Sequence, residues 1–587
     1  MNSNKRKEQD YLGEVEIPNA KLFGVYSHRD IENLTISPRT VGSNPEFSKA
    51  FAHCKWAAAL ANFDHGVITE EQKGAIAKAC AEIVDGQHAD SLAVDLLEGS
   101  GGPSSNMNFN EVIANRAQQL LDGELGVYDR VHPNDHVNRS QSTNDVYSAA
   151  MKMATYALLG PLIDEVTQLA DTFKRKASEF DDVLHLGRTC LQDAQPMRLG
   201  QVFGGYASLV ARLAGALKPV RDGLLVLPLG GTAIGTGFGA PAGYRSTAYR
   251  HLVKLTGIDY CAPEDAFDAM QNIDTFSRVS AELRTCATSI AKVASDLILL
   301  SSGPAGGIGE IVLPAVQAGS SIMPGKINPV VPMSMVQLSF AVVGNDVCVA
   351  QAVQAGQLEI NHFEPVVADR VFESIQLLTN GVRLCRDKCV AGIVADRAAN
   401  LNNLMNSMAV ATALVPKRGY HKTSALVRRS VAEGRPLVDT LEESNVLSKT
   451  EAIALIEAAV TRLSDATQSP LHHSNHHGYF ARYPSHLGAH CPAVVRHVAV
   501  GLRALSRPAR IHHELDRPHL DQARPGADPR PLRPCGEGPH LLRRNLRVEE
   551  RDRQLDPAHG RIPQPGRRPR RRDLGVARQK FPYQRPP

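Results

Sequence analysis

The chain has 587 residues, of which 43% are apolar, 21% charged and 5% aromatic, with a single Trp. Its net charge of +4 hides a split: residues 469–587 hold 22 Arg and one Lys against ten acidic side chains, so the body before them is mildly acidic. No run of about 18 apolar residues and no leader-like apolar N-terminus occur, so composition predicts a soluble, cytoplasmic protein without membrane or nucleic-acid partners.

Residues 1–145 are read as an N-terminal mixed helical domain. Within it Arg29 either reaches a carboxylate or pairs with Glu32 one helical turn on. Residues 146–397 are read as a central domain of long helices. Met151, Ala154, Leu158, Leu162, Val166, Leu169 and Phe173 recur every three or four residues and predict the first helix. A second helix is expected over about Gln201–Val226, a third carries Phe276, Val279, Leu283, Ala287, Ile290, Val293 and Leu297, and a fourth covers about Pro332–Gln354. Pro161 and Pro219 should kink or interrupt their helices. The best strand signal is Leu224–Leu229, which equally suits a helix end. Helices of this length need neighbours along their whole extent, so the fold class is mainly α, a long central bundle.

Polar, mostly Gly- or Ser-bearing islands separate these helices at 98–110, 132–145, 187–200, 229–239 and 303–328. Apolar residues interrupt their polar ones, which favours loops gathered around a ligand over free connectors. His362 stands in an apolar context and is read as a satisfied core residue. Shorter helical patterns over 398–468 predict a small C-terminal domain. The Pro-, Arg- and His-rich residues 469–587 lack the apolar content to offset ordering entropy. They are expected to be disordered, or the product of a shifted reading frame after about Gln468, and neither the Arg run at 567–572 nor the His cluster at 472–477 is read as a binding site. The ten Cys show no zinc spacing and are expected to be buried, reduced thiols; no metal is expected.

The most informative segment is GSSIMPGKINP, Gly319–Pro329. Two glycines let backbone approach a ligand, amides before a helix favour negative charge, and Lys326 adds a full positive charge. Ser320 or Ser321 becomes a base or nucleophile where such donors depress its pKa.

This segment resembles the GSSxMPxKxNP signature of the aspartase/fumarase superfamily, and the likeness extends over roughly residues 11–468. NMNFNEVIANRA, HPNDHVNRSQSTND, GRTCLQDAQPMRLGQ and TAIGTG are similar to its other motifs, and GQLEINHFEP and NPVVP are most like its aspartate ammonia-lyase branch. The resemblance implies a three-domain, mainly α protomer in a homotetramer, each active site drawing loops from three chains, with a small dicarboxylate substrate and no cofactor. It assigns Ser320 as the base that removes the Cβ proton, and Lys326 and Asn328 as binders of the adjacent carboxylate. Ser142, Thr143 and Asn144 would hold carboxylate oxygens and the amino group, while Thr189, Cys190 and Ser321 would line the pocket. His132, Asn134 and Asp135 form either a secondary anion site or a helix-capping turn. The implied chemistry is physically consistent. A proton α to a carboxylate is barely acidic, so donors must be concentrated on that carboxylate as it takes up charge.

Four positions depart from the pattern. Pro103 stands for a usual Thr, which costs a contact that Ser104 or Ser105 would have to replace. Cys190 and Met333 replace both halves of a His–carboxylate pair, and Ala305 replaces a usual Arg. The paired loss argues against water activation. The expected activity is therefore reversible elimination of ammonia from L-aspartate to give fumarate. A lyase for an N-substituted or altered succinyl substrate, a class II fumarate hydratase and a catalytically weak paralogue are the alternatives.

Overall fold

The computed structural model describes residues 4–467. The expected tail, with its Arg run, its His cluster and two of the cysteines, lies outside the described residues. A hairpin of β1 (Lys5–Asp10) and β2 (Gly13–Pro18) opens the fold, followed by α1 (Val25–Asn33), α2 (Pro45–Asp64), α3 (Glu70–Val84) and α4 (Pro103–Leu120). The central helices are α5 (Thr143–Glu179), α6 (Leu199–Asp222), α7 (Tyr244–Thr256), α8 (Ala266–Gln271), α9 (Asp274–Leu300), α10 (Val330–Gln354) and α11 (Glu364–Lys388). A second hairpin, β3 (Leu184–Thr189) and β4 (Gln192–Arg198), lies between α5 and α6, and the short β5 (Ile311–Val312) pairs with β6 (Val394–Ala395). Five shorter helices follow: α12 (Arg397–Asn406), α13 (Val410–Arg418), α14 (Tyr420–Glu433), α15 (Leu437–Glu443) and α16 (Lys449–Thr467).

The molecule is mainly α, as the periodicity predicts. All seven apolar residues that define the third predicted helix are buried in α9. α5, at 37 residues, spans ~55 Å. It packs along α6 and α11, and α10 packs between α9 and α11. An aromatic knot joins these helices to the N-terminal region: Phe51 of α2 stacks on Phe109 of α4 at 4.3 Å, and Phe47 meets Tyr147 of α5 and Phe372 of α11 at 5.4 and 5.5 Å. The knot sets the N-terminus of α5 beside that of α4. A separate apolar cluster joins Leu184 and Leu186 of β3 to Leu404, Val410, Leu414, Leu437, Leu441 and Ile456. The second hairpin thus shares its core with the short C-terminal helices.

Several expectations are corrected. Pro161 does not interrupt α5, and Pro219 lies within the last turn of α6. Near Pro161 the guanidinium of Arg221 stacks 4.0 Å from the Tyr156 ring and its Nε donates to the Tyr156 carbonyl at 3.0 Å, bracing the helix beside the proline. Leu224–Leu229 is no strand; a single bridge joins Val226 to Cys261 after a 3-10 turn over Gly223–Leu225. The island at 187–200 is largely hairpin and that at 98–110 largely helix. α10 is long and apolar enough to cross a membrane by length and composition, with a mean hydropathy of 1.4. Two of its polar side chains nevertheless face neighbouring helices: Asn345 donates to Glu373 and Ser374, and Asp346 accepts from Ser280 and pairs with Arg284. All described cysteines are free thiols, but Cys190 is exposed and Cys261 and Cys348 are only half-buried.

Candidate active site

Ser142 caps α5, its Oγ accepting from the Asn144 amide at 3.3 Å, while the Ser142 amide donates to Asp145 Oδ1 at 2.9 Å. This reciprocal box fixes where the helix begins. Asp145 is fully buried, and its other oxygen accepts from the amides of Gly230 and Thr232 at 2.9 and 3.3 Å. Burial raises its pKa to about 6 against the pull of those amides. Asn144 Nδ2 donates to the Ala233 carbonyl at 2.8 Å, a second tie to the same loop. Thr232 is held at a left-handed φ of 56°, costly for a β-branched residue, with its Oγ1 buried and unpartnered among the described residues. The TAIGTG loop is thereby drawn onto the helix start that carries Ser142, Thr143 and Asn144.

The 98–102 turn closes on the same place. Gly102 has φ 112°, and a Cβ there would stand 3.0 Å from Thr143 Cγ2. Pro103 is the first residue of α4, where its missing N–H has no helical partner to lose. Ser104 and Ser105 do not supply the contact expected of them. Ser104 Oγ donates to Asp30 Oδ1 at 2.5 Å, Ser105 Oγ donates to Glu98, and both serines are buried. His362 is exposed, not a core residue; Asn361 takes the buried place by donating to the carbonyls of Ala352 and Val353 at 3.0 Å. Arg29 reaches a carboxylate rather than pairing with Glu32: Asp10 holds its guanidinium in a fork at 2.7 and 2.8 Å.

His132 caps the turn Pro133–Val137: its Nδ1 accepts from the amides of Asn134 and Asp135 at 3.2 Å. Behind this loop Lys55 is wholly buried, donating to Asn106 Oδ1 and Asn138 Oδ1 at 2.7 and 2.9 Å. Burial drives its pKa down to about 7.

Thr189 and Cys190 form the exposed tip of the second hairpin, with Cys190 and Leu191 at φ 53° and 59°. One residue before the tip, Arg188 forks onto Glu310 at 2.8 and 2.8 Å. Gly319–Pro329 projects as a largely exposed flap. Ser320 Oγ accepts from the amides of Ile322 and Met323 at 3.2 and 3.0 Å. The Gly319 amide donates to the Lys326 carbonyl at 2.8 Å, and Asn328 Nδ2 donates to the Gly319 carbonyl at 2.8 Å. A Cβ on Gly319 would lie 2.5 Å from the Lys326 carbonyl oxygen, so this closure requires glycine. Ser321 and Lys326 are exposed, and among the described residues Lys326 makes no ion pair or hydrogen bond through its Nζ.

Ser142, Thr143 and Asn144 are thus gathered with the 98–102 and 230–235 loops. No hydrogen bond or ion pair within the described chain links that group to Thr189 and Cys190, or either to Ser320 and Lys326. Met333, in the first turn of α10, and Ala305, in the segment after α9, are both exposed. Asp145, Lys55, Thr232 and Glu310 escape the sequence reading. Asp145 shows a signal in the Ser-x-x-Asp capping spacing, and Lys55 in standing alone within an Ala-rich helix. Among the described residues no group of three or more His, Cys, Asp or Glu is arranged to hold a metal ion.

A lyase family model matches residues 13–344. The chain is 43% identical over 444 residues to an aspartate ammonia-lyase of Helicobacter pylori, covering 76% of this chain and 95% of that protein. It superposes on a cobalt-bound fumarate lyase:delta crystallin from Brucella melitensis with a TM-score of 0.75 and 39% identity, over 78% of this chain and 99% of that one. Against a recombinant class II fumarase from Schistosoma mansoni the TM-score is 0.72, at 31% identity, over 77% and 98% of the two chains.

Proposed function

The chain belongs to the aspartase/fumarase lyase family, and from that premise we propose that it reversibly eliminates ammonia from L-aspartate to give fumarate. The observation that carries the mechanism is the pair of amides donating to Ser320 Oγ. Hydrogen bonds to an oxygen favour its deprotonated form, so these donors stabilise a serine alkoxide able to act as base.

Ser320 takes a Cβ proton, and the electron pair left behind moves into the neighbouring carboxylate, which becomes a dianionic aci form. Lys326 and the second N–H of Asn328 stabilise that charge. As the carboxylate re-forms, the pair makes the Cα–Cβ double bond, the Cα–N bond breaks, and the ammonium group departs as NH3 with the bond electrons. Thr143 and Asn144 at the start of α5 receive the other carboxylate, where the helix dipole favours it. Thr189, Cys190 and Ser321 line the remaining wall.

Three chains of a homotetramer assemble each site. The support is twofold: among the described residues the catalytic groups fall into three sets that share no direct hydrogen bond or ion pair, and α10 exposes Met333, Phe340 and Val347, an apolar face that a second copy would cover. Cys190 and Met333 in place of a His–acid pair leave no base to activate water, which favours the ammonia-lyase over the hydratase.

Purified protein should raise ultraviolet absorbance from aspartate and consume it from fumarate plus ammonia, and Ser320→Ala should lower kcat by roughly 10²–10⁴-fold. Consumption of fumarate with water alone at a comparable rate would overturn the assignment in favour of the hydratase. Turnover with another amine but not with ammonia would favour the altered-substrate lyase.

A further inference from the structure

We propose that Glu310 is a positioning residue that locks the root of the Ser320 flap to the Thr189–Cys190 tip. The proposal rests on the lyase reading for what flap and tip do.

Among the described residues, the hydrogen bonds made by the flap, 315–328, are internal (Gly319 to Lys326, Lys326 to Met323, Ile322 and Met323 to Ser320, and Asn328 to Gly319), except at the α10 end, where the Val330 amide donates to the Asn328 carbonyl at 2.8 Å. Its bearing is therefore set at its two ends, the start of α10 and the segment 308–312. Glu310 anchors that second end completely. Its carboxylate is fully buried and accepts both arms of Arg188 together with Asn403 Nδ2 at 3.0 Å. Its amide donates to the Leu300 carbonyl at 2.9 Å, and its own carbonyl accepts from the Asp396 amide at 3.0 Å and Asn400 Nδ2 at 2.7 Å.

Arg188 immediately precedes Thr189, so one carboxylate sets both the tip and the flap root. His185, on the same hairpin, lies with Nδ1 2.9 Å from Asn400 Oδ1 and 3.4 Å from Glu310. Burial holds this imidazole toward its neutral form, so its Nδ1 proton points at the amide oxygen and leaves the Arg188–Glu310 pair electrically balanced. A planar, two-armed pair of this kind fixes orientation as well as distance.

A purely structural salt bridge and a positioning clamp differ in what a neutral replacement restores. Removing one partner strands a buried charge, whereas an apolar pair of similar volume is tolerated. Arg188→Met and Glu310→Met should each lower Tm, and the double variant should recover most of it. In that double variant kcat for aspartate should stay roughly tenfold to a hundredfold down, with a smaller change in KM, because misplacing reacting groups slows the step itself. Amide hydrogen exchange over 303–328 and 184–198 should be faster. Arg188→Lys, which keeps the charge but loses the fork, should slow kcat with Tm little changed and carries the test if the Met variants fail to fold. Recovery of both Tm and kcat in the double variant, or wild-type kcat in Arg188→Lys, would overturn the proposal. If the wild-type protein does not act on aspartate, the lyase reading falls while the exchange of the two segments still decides the clamp.

Discussion

Lys55 is a buried cation whose hydrogen bonds go to two amide oxygens rather than to a carboxylate. In the folded chain it holds its proton only below about pH 7, against 10.5 when exposed. A folded-state pKa below the unfolded one contributes stability that is complete above the unfolded value and is lost as pH falls through the folded value. Lys55→Met removes that dependence. The stability of wild type relative to the variant, measured by urea unfolding, should therefore grow between pH 7 and pH 10, by up to about 5 kcal/mol. No change with pH would mean that the ammonium is paired or solvated. Asp145→Asn is the companion test, since an amide NH2 cannot accept from Gly230, Thr232 and Ser142 together. It should cost about 1–3 kcal/mol and raise KM, seen in Tm and in aspartate saturation. At this scale Ser142, Thr143, Asn144, Ser320, Lys326 and Asn328 stand out in the sequence as candidates because their spacing is local. Lys55, Asp145 and Glu310 were not assigned, because each takes its meaning from partners distant in sequence. The same holds for Arg29, whose carboxylate partner is Asp10, and for His362, which is exposed where a core place is expected because Asn361 takes the buried position.

The long helices were legible because an apolar repeat over more than 20 residues leaves few alternatives. The second hairpin was not. Only Leu184 and Leu186 of β3 enter the C-terminal apolar cluster, β4 is mostly polar with Pro196 in it, and the register slips at Gly187/Arg188, so no alternation survives to be read. Proline misled in the opposite direction, since a helix with partners along its length carries a local defect. Pro161→Ala would return an amide donor to the Ala157 carbonyl at an exposed position of α5. It should raise Tm, by about 1–3 kcal/mol of stability, with kcat unchanged. A fall in Tm would show that proline's restriction of the unfolded chain outweighs the hydrogen bond. In the flap, Gly319→Ala should do the reverse, leaving Tm alone and lowering kcat, because the added carbon meets the carbonyl that closes the loop.

For the whole molecule, the described chain leaves one feature unexplained by itself: α10 is as apolar as a membrane helix yet exposes Phe340 and Val347. A second copy packed along that face, as proposed above, would resolve it without a bilayer, since Asn345, Asp346 and Arg284 lie among the same helices and would be stranded in lipid. Residues 4–467 already hold both the central core and the C-terminal core, and the Helicobacter pylori relative is spanned over 95% of its length by 76% of this chain. Nothing in that part of the molecule calls for the Arg-rich residues beyond 468, whose composition breaks abruptly from the body. A protein ending at Gln468 should therefore keep the mass of four chains by light scattering and the full-length kcat on aspartate. Its pI should also fall, because the excess of Arg goes with the tail. A truncated protein that sediments as a monomer and is inactive would show that residues 469–587 take part in assembly.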